Sequence, residues 1–150
     1  MLIDGGYETI AITRSMSQPY EDAPAWHKVK RVLLDRENDA GFIEKLKAME
    51  PDIIVDLVNF SIAQTKKIVE GFSGTGLSQY LYCSSCWAHG RAETIPFDPD
   101  DRQKEPLDDY GKDKFASEMY LKQQYRKSGF PATVIMPGQI SGPGWTIINP

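Results

Sequence analysis

At 150 residues, 41% hydrophobic and 25% charged, the chain has the length and apolar content of about one globular domain with its own core. A net charge of -4, with Lys and Arg scattered rather than clustered, speaks against a general nucleic-acid binder, and no apolar run approaches the roughly 20 residues of a membrane span. Met1-Leu2-Ile3 runs at once into Asp4-Gly5-Gly6, unlike a signal peptide, and Cys83 and Cys86 lie too close together to staple a fold, so a cytoplasmic setting is expected.

Met1 to Glu8 reads as the last turn of a helix with its glycine terminator, and the far end, Gly142 to Pro150, stops in a loop, so the chain reads as truncated at both ends. Thr9 to Thr13 is β-branched and apolar and predicts a short buried strand, with Arg14 just after it. Residues 15–28 carry Pro19 and Pro24 among polar groups and read as a loop. Val29 to Leu34 predicts a second strand that ends in Asp35-Arg36. Phe42, Ile43, Leu46 and Met49 mark one face of a helix over Asp39 to Met49, with Asn38 or Asp39 as its N-cap.

Past Pro51, the run from Asp52 to Val58 predicts a third strand, apolar enough to be buried on both faces. Ile62 to Phe72 predicts a helix closed near Gly71 to Gly76, Tyr80 to Cys83 a fourth, buried strand, and Tyr110 to Lys127 a long helix. Gly129 and Pro131 stop that helix, and Ala132 to Ile135 predicts a fifth strand. Strands alternating with helices predict parallel α/β units. Ligands of such sheets gather at the carboxyl ends of the strands, where Arg14, Asp35, Asn59, Ser85 and Pro137-Gly138 all fall.

Tyr110 and Lys114 are four apart, so a helix projects both side chains from one face. A phenol is a poor base at neutral pH, but a neighbouring ammonium favours the phenolate and poises it for proton transfer. The same ammonium can hydrogen-bond the hydroxyls of a cofactor ribose, while Ser85 can donate to a substrate oxygen that gains charge. The bland alternative is a helix-start aromatic followed by a solvated lysine. Cys83 and Cys86 form a C-x-x-C, but they straddle a strand end inside the serine motif and no second ligand pair accompanies them, so neither a redox nor a metal site is expected. The acidic loop Phe97 to Asp109 reads as solvated.

Ser84-Ser85-Cys86-Trp87-Ala88-His89-Gly90, then Tyr110-Gly111-Lys112-Asp113-Lys114 and Glu118, resemble the extended short-chain dehydrogenase/reductase group of NAD(P)-dependent epimerases and dehydratases. Met136-Pro137-Gly138 through Gly142-Pro143-Gly144 is similar to that family's Arg-Pro-x-x-x-x-Gly-Pro-Gly turn, with Met in place of Arg, and Pro51 to Asp56 to its fourth strand. The resemblance implies an α/β, Rossmann-like parallel sheet with helices on both faces. It implies hydride transfer between a nicotinamide and a substrate carbon, with catalytic Ser85, Tyr110 and Lys114, on a nucleotide sugar or related hydroxyl or carbonyl compound. Candidate cofactor contacts are Arg14, Asp35, Arg36, Asn59, Tyr110, Lys114, Pro137 and Gly138. Arg14 suits the 2'-phosphate of NADP better than the ribose hydroxyls of NAD.

The family opens with a strand and Gly-x-x-Gly-x-x-Gly, whose amides hold the pyrophosphate, and no such motif occurs in these residues. The expectation is therefore a partial NAD(P)-binding domain over residues 1–150, its first strand and glycine-rich loop missing and its C-terminal substrate-binding part absent. The rival expectation is a catalytically silent fragment, or a binding or regulatory protein on the same fold. The Tyr110 to Lys127 helix is the expected surface for a homodimer.

Overall fold

The computed structural model describes residues 2–16, 24–91, 96, 98, 100–101 and 104–140. They fall into two compact units, divided after Phe42.

In the first unit the chain opens on a helical turn that Gly6 ends as expected. Gly6 has φ 82 and donates to Ile3 O, and Tyr7 donates to Leu2 O, the two reverse bonds of a glycine-closed helix end. Strand β1 (Ile10–Thr13) pairs in parallel with β2 (Lys30–Leu33), Ile10 opposite Lys30 and Thr13 opposite Leu33. The burial expected of β1 is not found, because a two-stranded ladder covers little of either face and leaves Ile12 exposed. Pro24–Lys28, inside the segment read as loop, forms a 3-10 helix, and Trp26 lies under the Arg31 guanidinium at 5.9 Å.

Helix α1 (Phe42–Lys47) straddles the division and is shorter than its apolar pattern predicts. Its last turn tightens, with Met49 N bonding Leu46 O and Glu50 N bonding Lys47 O.

The second unit is built on β3 (Ile53–Asp56), β4 (Gln79–Cys83) and β5 (Ala132–Ile135), a parallel ladder in the order β3-β4-β5. Register sets Ile53 opposite Gln79 and Tyr80 opposite Ala132. Helix α2 (Ile62–Phe72) follows β3, and α3 (Asp109–Ser128) precedes β5. Ser61 caps α2 by accepting from Gln64 N, and Gln64 Oε1 accepts in turn from Phe60 N. Asp108 caps α3 through Gly111 N, while Gly129, at φ 69, closes it on Tyr125 O.

Both helices cover the sheet face that carries Tyr80 and Tyr82, and Ile68, Val69, Phe72, Leu121 and Phe130 fill the core there. Each such side chain contributes about 1.5–3 kcal/mol of apolar transfer. Gly71 lets α2 approach α1, since a Cβ there would strike Ile43. Strand β3 is not buried on both faces as its composition predicts: Ile53 and Val55 are 40% and 43% exposed, while the charged Asp56 is buried. The strand lies at an edge of its ladder, and Asp56 is tolerated inside because Tyr80 Oη (2.7 Å) and Asn59 Nδ2 (3.1 Å) both donate to its Oδ2.

Candidate active site

Parallel strands end on one side of a sheet, so Asn59, Ser85 and Pro137-Gly138 share one rim of the β3-β4-β5 ladder. Helix α3 begins at that rim, and Lys114 connects the two. The side chain runs inward from the second turn, 2% exposed at residue level. Its Nζ donates to Asn59 O at 2.6 Å and to Cys83 O at 2.7 Å, the chain just past β3 and the last residue of β4. The rings of Tyr82, Phe60 and Tyr110 surround the ammonium at 5.0, 5.5 and 5.5 Å from their centroids. A buried charge is held here by two carbonyl dipoles and three ring faces in place of water.

Tyr110 stands in the first turn of α3, 38% exposed, its ring 6.3 Å from that of Phe60. Burial pushes the neighbouring Tyr82 phenol well above the usual range, which keeps it neutral beside Lys114. The position of Asn59 after β3 predicts a side chain on the rim. That side chain instead faces the interior, donating to Asp56 and Tyr80 and accepting from Thr65 Oγ1 at 3.3 Å, and Thr65 continues to Ser117 at 3.0 Å. The Asn59 main-chain oxygen accepts from Lys114.

The two serines part company. Ser84 Oγ donates to Glu118 Oε1 and is spent inside. Ser85 Oγ accepts from Trp87 N at 3.3 Å and caps the short 3-10 helix Cys86–Ala88, so its own hydrogen remains available to donate elsewhere. This turn rests on both neighbours: Cys86 N donates to Pro137 O at 3.0 Å, and Trp87 O abuts Gly111, where a Cβ would collide with it. The Tyr-Gly pair at the helix start therefore has a steric reason. Cys83 and Cys86 are free, half-buried thiols.

In the first unit, Arg14 is exposed just past β1 and Asp35 lies just past β2. The Asp35 carboxylate is engaged by its own loop. It accepts from Asn38 Nδ2 (2.9 Å), Glu37 N (2.8 Å) and Asn38 N (3.2 Å), and these bonds, with a smaller contribution from the Arg14 charge, hold its pKa below the usual range. Arg36 lies over the Phe42 ring at 5.5 Å.

Sequence reading missed Phe60 and Lys104. Phe60 carried a signal, an aromatic next to Asn59 at a strand end. Lys104 carried none, since it sits among acidic residues in a segment read as solvated, yet it is buried. Ser141 and the Gly142-Pro143-Gly144 turn lie outside the described residues, as do Phe97 and Pro99.

The described residues thus form a parallel α/β fold of Rossmann-like class, with Lys114 held on Asn59 O and Cys83 O beside the exposed Tyr110. The chain belongs to the NAD dependent epimerase/dehydratase family, which residues 1–149 match. Among solved structures, a candidate epimerase of Burkholderia cenocepacia superposes with a TM-score of 0.76 at 20% identity, over 97% of this chain and 50% of its own. UDP-glucose 4-epimerase of Brucella ovis, in complex with NAD, gives 0.72 at 15%, over 90% of this chain and 45% of its own. UDP-glucuronic acid 4-epimerase of Bacillus cereus, also with NAD, gives 0.74 at 15%, over 96% and 52%. At these identities the likeness establishes the fold, and the chain spans about half the length of those relatives. Among the described residues no helix is long and apolar enough to cross a membrane.

Proposed function

We propose that this chain carries the catalytic rim of an NAD(P)-dependent epimerase or dehydratase acting on a nucleotide sugar or related hydroxyl or carbonyl substrate, with Ser85, Tyr110 and Lys114 as its site. The observation that supports this most is the Lys114 ammonium, buried and fixed on Asn59 O and Cys83 O beside the Tyr110 ring. The exposed rings of Phe60 and Tyr110, 6.3 Å apart, suit the nicotinamide end of the cofactor, and among the described residues nothing lies within 4 Å of a Cβ position on Gly138. When bound, a nicotinamide supplies hydride transfer.

Tyr110 then exchanges a proton with the substrate hydroxyl. Lys114 keeps a fixed positive charge beside the phenol during that step. Ser85, whose Oγ is already held by Trp87 N, donates its hydrogen to the same substrate oxygen as charge develops there. Asn59 contributes by fixing Lys114. The Brucella ovis and Bacillus cereus structures are complexes with NAD, while Arg14, exposed after β1, supports a preference for NADP through its 2'-phosphate.

A silent binding or regulatory protein on the same fold is the second reading. Calorimetric titration with NADH and NADPH, followed by turnover assays on UDP-glucose, UDP-galactose and UDP-glucuronic acid, separates the two. On the enzyme reading Tyr110→Phe lowers kcat by roughly 100-fold or more while cofactor affinity holds. Unchanged turnover removes Tyr110 from the chemistry, and absence of both binding and turnover supports the silent reading. The same preparation tests a homodimer through the open groove between α2 and α3, where Lys66 lies over Tyr120 at 5.8 Å and Ile62, Ala116 and Met119 are among the lining residues. Sedimentation of a single-chain species would exclude it.

A further inference from the structure

A fully buried ion pair lies beside the site and takes no part in the proposed chemistry. Lys104 Nζ stands 2.8 Å from Glu118 Oε2, with side chains 0% and 2% exposed. The other carboxylate oxygen of Glu118 accepts from Ser84 Oγ. The Lys104 ammonium also lies 5.8 Å from the Phe115 ring centroid. One residue on, Glu105 N donates to His89 O at 3.3 Å and Glu105 bridges Gly90 in parallel. The approach is close enough that a Cβ on Gly90, at φ 82, would collide with Glu105 O. One pair of charges thus joins three pieces of chain: the Ser84–Gly90 turn, the 104–105 strap and helix α3.

Stability alone is a poor account of such a pair. Removing two charges from water offsets most of their attraction, and an apolar pair of the same volume is commonly as stable. Direction distinguishes the ionic pair, because charge-assisted hydrogen bonds hold their partners at one distance and angle. The bonds fall next to the reacting groups: Ser84 precedes Ser85, and Glu118 lies one helical turn beyond Lys114. We propose that Lys104 and Glu118 are positioning residues that clamp the Ser85 turn to α3 and so set where the Ser85 hydroxyl stands relative to Tyr110 and Lys114. The catalytic part of this inference rests on the function proposed above.

The test is the double variant Lys104→Met with Glu118→Gln. It removes both charges together, and the glutamine keeps an acceptor for Ser84. Its melting temperature should stay near the parent's, its NAD(P)H affinity should be unchanged, and its kcat should fall about tenfold or more, the signature of misplaced groups. Amide exchange at Ala88 and Glu105, whose acceptors are Ser85 O and His89 O, should become about tenfold faster. Parent-like kcat together with parent-like exchange overturns the clamp. A parent that turns over no nucleotide sugar would count against the proposed function, and the exchange rates would still decide the clamp. Should the double variant not fold, Ser84→Ala removes only the hydroxyl link; parent-like exchange at Ala88 in that variant overturns the proposal.

Discussion

The Lys114 ammonium donates to Asn59 O at 2.6 Å and to Cys83 O at 2.7 Å, so one helix side chain ties two neighbouring strands together at their carboxyl ends. Removing it should therefore damage the scaffold as well as any chemistry. Lys114→Met leaves both carbonyls without this donor, at a cost of about 1–3 kcal/mol for each. Urea denaturation should show a clearly lower midpoint with an unchanged slope. A parent-like midpoint would mean that the two bonds contribute nothing net.

The adjacent serines should separate in opposite directions. Ser84→Ala leaves a buried Glu118 oxygen without its donor and should cost about 1–3 kcal/mol of stability. Ser85→Ala loses only the cap on a short 3-10 helix, about 1 kcal/mol. Of the pair, Ser85→Ala should have the larger effect on turnover per unit of stability lost. Thermal melts and kcat measured side by side decide this, and the reverse ranking would move the reactive hydroxyl to Ser84.

Two glycines are held by close approach. A Cβ on Gly90 would strike Glu105 O, and Gly90 also has φ 82, so Gly90→Ala should cost about 1–3 kcal/mol for the backbone strain, with the collision added. Gly111→Ala meets Trp87 O without a positive φ, and the helix propensity of alanine offsets part of the clash. The expected order of melting temperatures is parent, Gly111→Ala, then Gly90→Ala.

Asp35 should report on acid unfolding of its loop. Its folded pKa is depressed by bonds from the Asn38 side chain and the Glu37 and Asn38 amides. A depressed carboxylate stabilises fully above its unfolded pKa, about 3.9, and that contribution is lost as pH falls through the lower folded value. The Asn38 amide resonance should therefore titrate below about pH 3.9, and Asp35→Ala should abolish the inflection. A midpoint above that value would contradict the hydrogen-bonded geometry.

Periodicity and punctuation made much of the fold legible. Helix α2 runs from Ile62 to Phe72 as its spacing predicts, α3 ends at Ser128, one residue beyond the predicted Lys127, with Gly129 closing it, and all five strands lie within a residue or two of their apolar runs. These are local properties: side-chain period, β-branching and the φ freedom of glycine act over a few residues. Burial was less legible. The apolar Ile53 and Val55 are exposed and Asp56 is inside, because which face a strand buries depends on what packs there.

The sequence by itself determined the alternation of strands and helices, the residues that stand at strand ends, and the four-residue step that puts Tyr110 and Lys114 on one helix face. Only the tertiary structure decided how those residues are held. It turned the Asn59 side chain inward toward Tyr80 and left its carbonyl for Lys114, spent the Ser84 hydroxyl on Glu118, and buried Lys104 from a segment that reads as solvated. Each depends on a partner 14 to 55 residues away in the chain, and no local pattern encodes where such a partner will stand.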